Sequence, residues 1–179
     1  MPRISRTEDY NGVAEKIRRL GLSSLYEQVV ETLSFQLLVE ERRFANGTQI
    51  IRKMIDERFE NVGGWKEIRS GGIDWTATTA TGSTIGVEVQ VSGRSDLLAV
   101  DVMHFKRKLA SGDMDVGVIV VPDDVLSAFL TDRTPNFRTA VRHVVEHGAA
   151  DLPIRIVAFM HDGVGPALPK ARTNLGRLP

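Results

Sequence analysis

Residues 85–94 read IGVEVQVSGR, and the strand within them carries a carboxylate and an amide where only Val and Ile are expected. In a strand, side chains two apart share a face. Glu88 and Gln90 therefore stand together on one side, with Val87, Val89 and Val91 on the other. A carboxylate set among apolar runs costs on the order of several kcal/mol unless something pairs with it. Asp74 is the candidate partner. It opens the preceding strand, just after Ser70-Gly71-Gly72, and a hairpin turning at Thr81-Gly82-Ser83 brings it near Glu88 across the ladder. Two neighbouring carboxylates raise each other's pKa unless a hard cation lies between them. Oxygen ligands from Asp74, Glu88 and the main-chain carbonyl of Val89 suit magnesium, with waters completing its shell.

Working outward from this hairpin, the chain before it is helical. Residues 13–20 form a short amphipathic turn stopped by Gly21. Ser23 or Ser24 caps a longer helix in which Leu25, Val29, Val30, Leu33, Leu37 and Leu38 recur at helical spacing. A third helix carries Ile50, Ile51, Met54, Ile55 and Phe59, with Asn46 or Thr48 as cap and Gly63-Gly64 at its end. The period then changes to two, giving strands over 65–69, 74–78 and 84–91. Residues 96–109 return to helix, capped by Ser95 or Asp96 and stopped by Gly112. VGVIVV, at 116–121, is apolar on both faces, as a buried central strand requires. Helical stretches over 124–130 and 136–147 lead to a last strand at 154–159. The expected class is α/β, a single domain over 1–162 with a helical part at 11–62 and a sheet core at 63–162. A basic, Pro- and Gly-rich tail, extended or loose, follows at 163–179.

Composition bounds what such a domain can be. At 179 residues with 42% hydrophobic and 26% charged residues, the chain matches a soluble globular protein. No segment approaches the roughly 18 uninterrupted apolar residues of a membrane span. The polar start, MPRISRTEDYNG, lacks an apolar signal region, so a cytoplasmic protein is expected. There is no Cys, which excludes disulfides and thiolate chemistry. Lys plus Arg and Asp plus Glu both number 23, so any anionic partner must be held by a local patch.

The arrangement D-x13-E-x-Q on consecutive strands, followed by a helix and a buried strand, resembles the PD-(D/E)XK nuclease superfamily. Within it, the chain is most similar to the BglII-like type II restriction endonucleases, where Gln replaces the motif's lysine in a V-E-V-Q strand. The resemblance rests on Gly64-Trp65 after an amphipathic helix, Ile73-Asp74, Val87-Glu88-Val89-Gln90, and Ser92-Gly93-Arg94 leading into the helix and the GVIVVP strand, over about residues 46–122. No Pro precedes Asp74, and the interval from Asp74 to Glu88 is longer than in close relatives.

The resemblance implies a restriction-endonuclease-like mixed central sheet flanked by helices. It also implies magnesium-dependent hydrolysis of double-stranded DNA that leaves 5′-phosphate ends, by a homodimer on a palindromic site. Asp74, Glu88 and Val89 would hold the ion. Gln90 would orient the attacking water or contact the scissile phosphate, and having no ionisable proton it cannot be a general base. Gln49 and Glu57 are candidates for a further site residue from the preceding helix. Ser92 and Arg94 would meet DNA, with Lys106-Arg107-Lys108 as a second candidate surface, although a helix C-terminus attracts such a cluster in any protein. Trp65 and Trp75 read as packing residues.

One rival motif remains. HVVEH, at 143–147, fits the H-x-x-E-H pattern of inverted zinc peptidases, with His143 and His147 as ligands and Glu146 acting on water. The chain has no Glu after Glu146 to serve as third ligand, so the plain reading is an amphipathic helix with Val141, Val144 and Val145 inward and both histidines at the surface. A module that binds nucleic acid without cutting it is the third possibility.

Overall fold

The computed structural model describes residues 3–68, 73–91 and 96–170. Its centre is a six-stranded mixed sheet in the order β1-β7-β6-β5-β4-β3. The strands are β1 (Ile4–Asp9), β3 (Lys66–Glu67), β4 (Trp75–Thr78), β5 (Thr84–Val89), β6 (Val116–Pro122) and β7 (Ile154–Phe159). β5, β6 and β7 run parallel, while β4, β3 and β1 are antiparallel to their neighbours. The parallel centre is buried on both faces, and every residue of β6 is buried, as its unbroken apolar run requires.

Two helical layers cover the sheet. One face packs α1 (Val13–Arg19), α2 (Ser23–Thr32), α3 (Gln49–Val62) and α5 (Asp124–Phe129) around Val29, Ile51, Ile55, Phe59, Val87 and Val118. The other packs α4 (Leu97–Ser111) and α6 (Phe137–Glu146) around Leu98, Val102, Phe105, Ile119, Val144 and Ile156. A small parallel pair, β2 (Leu38–Val39) and β8 (Gly163–Val164), closes the α3 side. The mixed sheet flanked by helices is the architecture expected from the sequence.

The hairpin is as read: Thr78 pairs with Thr84, and Gly82 takes the positive φ of 91° that its turn needs. Trp65 and Trp75 are core residues on either side of Phe59, the first edge-on at 5.0 Å and the second stacked at 5.2 Å.

Three readings are corrected. The polar segment Ile4–Asp9 is an edge strand. It is held by the β7 ladder and by the pairs Arg155–Asp9 at 2.6 Å and Arg6–Asp123 at 2.8 Å. The second helix ends at Thr32 and does not reach Leu38. Thr32 Oγ1 donates back to the Val29 carbonyl and Ser34 Oγ bonds Glu31, side-chain bonds that compete with helix continuation. The tail does not begin loose at 163. β8 joins the small sheet, the Gly47 amide donates to the Leu168 carbonyl, and Asn46, expected as a helix cap, is instead buried and bonded to Glu40, Phe129 and Leu168. Residues 171–179 of the expected tail lie outside the described residues.

Candidate active site at the end of strands β4 and β5

The β4–β5 register pairs Trp75 with Val87, so one step outward sets Asp74 opposite Glu88. Asp74 is tied to the next turn of chain: its Oδ2 accepts from the Val89 amide at 2.8 Å, and its own amide donates to the Val87 carbonyl at 3.1 Å. Glu88 is 5% exposed and points to the face covered by α4. Burial, then the charges of Asp74 and Asp101 and a hydrogen bond donated to Asp74, push its carboxyl up to about 10, against the opposing pull of Arg52. Its Oε2 is buried with no partner.

Helices from both faces complete the cluster. From α4, Asp101 Oδ2 accepts a hydrogen bond from the Gln90 side-chain amide. Burial raises the Asp101 carboxyl, the Gln90 bond opposes this, and Asp74's charge adds to it; the net direction is upward. From α3, Arg52 spans the site. Its Nη2 meets Asp74 Oδ1 at 2.8 Å, its Nη1 donates to the Val89 carbonyl at 2.9 Å, and its Nε bonds Asp56 Oδ2 at 2.7 Å. Burial works against the Arg52 charge, but the bonds to Asp74 and Asp56 outweigh it and hold the guanidinium more firmly protonated than usual. Asp56 in turn accepts from the Trp75 indole at 3.1 Å. Beside Arg52, a shallow cavity of about 360 Å³ is lined by Gln49, Lys53, Asp56, Glu57 and Glu60.

The structure thus brings together Asp74, Glu88, Val89 and Gln90. Ser92 and Arg94 lie outside the described residues. Among the described residues, neither helix candidate bonds to the cluster: Gln49 opens α3, and Glu57 pairs with Lys53 at 3.5 Å on the surface. The residues from α3 that do reach it are Arg52 and Asp56, and Asp101 comes from α4. Their sequence signal was faint: each is a charged residue adjoining buried helix positions, Ile51 and Ile55 in one helix and Val102 in the other.

The donor set is all oxygen, and the partnerless Glu88 Oε2 is an acceptor that a cation would satisfy, so these residues fit a hard divalent ion. The protein's share would be two carboxylates and a main-chain carbonyl. Among the described residues, no group of three or more His, Cys, Asp and Glu is placed to hold a metal.

That last finding also bears on HVVEH. The His143 and His147 rings stack at 5.6 Å, and Glu146 lies out at the surface beside Arg142. The helix is amphipathic but rotated from the expected setting: His143 is buried with Val144, while Val145 is 57% exposed. In the basic cluster, Lys106 donates to the His147 carbonyl at 3.0 Å, and Arg107 and Lys108 line a surface hollow with His104, Ser111 and Asp113. No helix of the described residues is long and apolar enough to cross a membrane.

A search of curated proteins returned no match. The family model described as Restriction endonuclease BglII/BglIII matches residues 7–159, which take in every strand of the central sheet from the second half of β1 to β7, and the whole carboxylate cluster. With most of its length matched and its paired acids set where two strands of a mixed sheet end, the chain belongs to the BglII/BglIII restriction endonuclease family.

Proposed function

We propose that this protein is a magnesium-dependent type II restriction endonuclease that hydrolyses phosphodiester bonds of double-stranded DNA. The observation that carries the reading is the facing pair Asp74 and Glu88, with the Val89 main chain between them at the sheet end. Asp74, Glu88 and the Val89 carbonyl would hold the magnesium ion. When bound, the ion neutralises phosphate charge and lowers the pKa of a water.

Gln90 has a positioning role in this reading. Its amide is fixed by Asp101. It offers a donor and an acceptor without a titrating proton, suited to aligning a water or a phosphate oxygen. Ser92 and Arg94 follow at once in the chain and would contact the DNA.

The test is incubation of chelator-treated protein with long duplex DNA of varied sequence, with magnesium or with EDTA. Discrete fragments are expected with magnesium only, and none from Asp74→Asn at any metal level. Intact DNA across all substrates under magnesium would leave the binding-module reading in its place.

The active unit in this reading is a homodimer. α4 turns Leu97, Val100 and Met103 outward at 49%, 50% and 40% exposure, an apolar stripe at helical spacing. Light scattering is expected to give twice the 19.8 kDa chain mass. A monomer both alone and on DNA would exclude the dimer.

A further inference from the structure

We propose that Arg52 is a built-in competitor for the divalent ion, its guanidinium holding the ion position closed until a dication displaces it. The inference rests on the metal reading above and adds to it a residue of opposite charge. Two of the three proposed ligands, Asp74 and the Val89 carbonyl, are the groups Arg52 bonds, at 2.8 and 2.9 Å. A guanidinium presents its donors in a planar fork and carries one charge. Against it stand four carboxyl groups, Asp56, Asp74, Glu88 and Asp101, and the buried Glu88 Oε2 stays unsatisfied. A dication brings twice the charge and accepts ligands from more directions, which is what this cluster lacks.

The arginine also has somewhere to go. Its Nε is anchored to Asp56 one helical turn along α3, and Asp56 is held in place by the Trp75 indole. The side chain is 25% exposed and borders the shallow cavity lined by Gln49, Lys53 and Glu57. Swinging about the Asp56 bond, the guanidinium can leave Asp74 and Val89 without becoming an unpaired buried charge. Closed, it neutralises the acids of the ion-free protein; open, it adds a cation on the flank of the site.

The experiment is isothermal titration of chelator-treated full-length protein with MgCl2 and with MnCl2, without DNA. The unsubstituted chain, Arg52→Gln, Arg52→Lys and Asp74→Asn are compared, each checked for folding by circular dichroism. Arg52→Gln is expected to bind the ion more tightly by about tenfold or more, because no competing state remains to be displaced. Arg52→Lys, whose ammonium cannot make all three contacts at once, is expected to fall between. Asp74→Asn is expected to show no binding. Equal or weaker binding by Arg52→Gln, with Asp74→Asn still abolishing it, overturns the competitor role and leaves the metal reading standing. No binding by any form overturns both. Should Arg52→Gln not fold, Arg52→Lys decides, and affinity no tighter than that of the unsubstituted chain overturns the proposal.

Discussion

Glu88→Gln should give a protein that folds more stably than the original and no longer cuts DNA. The gain comes from the carboxyl's environment. Held at 5% exposure, Glu88 is kept protonated by burial, by the charges of Asp74 and Asp101 and by its bond to Asp74, with a carboxyl pKa raised from 4.5 to about 10. Across that interval the folded state binds a proton that the unfolded chain releases, so unfolding becomes easier as pH rises. Glu88's contribution to stability is full below about pH 4.5 and is lost progressively as pH climbs towards 10. Gln is close in shape to the protonated acid, can donate the same bond to Asp74, and carries no titrating group. In EDTA the variant is expected to be more stable by about 2–4 kcal/mol at pH 8, with the difference nearly gone at pH 5. Asp101 shifts in the same direction and is present in both proteins, so its own burial contributes equally to both.

Activity should move the other way. Without a carboxylate to hold the ion, cleavage is expected to fall by roughly a thousandfold, since an ion's charge stabilisation is worth several kcal/mol and each ~1.4 kcal/mol is a factor of ten. Urea unfolding at pH 5 and pH 8, alongside single-turnover cleavage, measures both. A variant that keeps its cleavage rate, or that loses stability at pH 8, would contradict the assignment of Glu88 as a buried ligand.

The second large effect lies in the aromatic stack behind the site. Phe59→Ala is expected to cost about 3–5 kcal/mol, read as a drop in the urea midpoint. Phe59 is fully buried, stacks on Trp75 at 5.2 Å and meets Trp65 edge-on at 5.0 Å, so truncation leaves a void between α3 and the antiparallel edge of the sheet. The consequence reaches the chemistry. Trp75 follows Asp74 directly, and its indole holds Asp56, the anchor of Arg52. Loosening this stack disturbs both the acid and its guanidinium partner. Cleavage measured at low temperature, where the variant remains folded, is therefore expected to fall as well. Phe59→Leu, which fills much of the space, should recover most of the stability. A loss below about 1 kcal/mol on Phe59→Ala would mean the stack is not the element that fixes this edge.

The fold was legible wherever a residue's environment depends on its near neighbours. VGVIVV read as a strand buried on both faces because it is short and rich in β-branched residues, and IGVEVQV announced a strand with one polar face, because alternation is a property of the strand itself. The turn at residues 81–83 then set the register, and the register put Asp74 across from Glu88. Strand β1 escaped because an edge strand exposed along nearly its whole length has no apolar alternation to read; its partner is 146 residues away at the Arg155–Asp9 pair. The exchange of His143 and Val145 in α6 has a similar cause. A helical period says that one face is buried, while packing against α4 and the sheet decides the rotation that chooses which residues line it.

By itself, then, the sequence determined the alternation of helices and strands, the hairpin, and the meeting of Asp74, Glu88 and Gln90, all of which follow from spacing within a few dozen residues. Only the tertiary structure decided what surrounds them. Arg52, Asp56 and Asp101 reach the site because α3 and α4 pack on opposite faces of one sheet and their side chains converge past its end. Periodicity places a side chain on a helix face, but the length and direction of a reach between elements depend on how those elements dock.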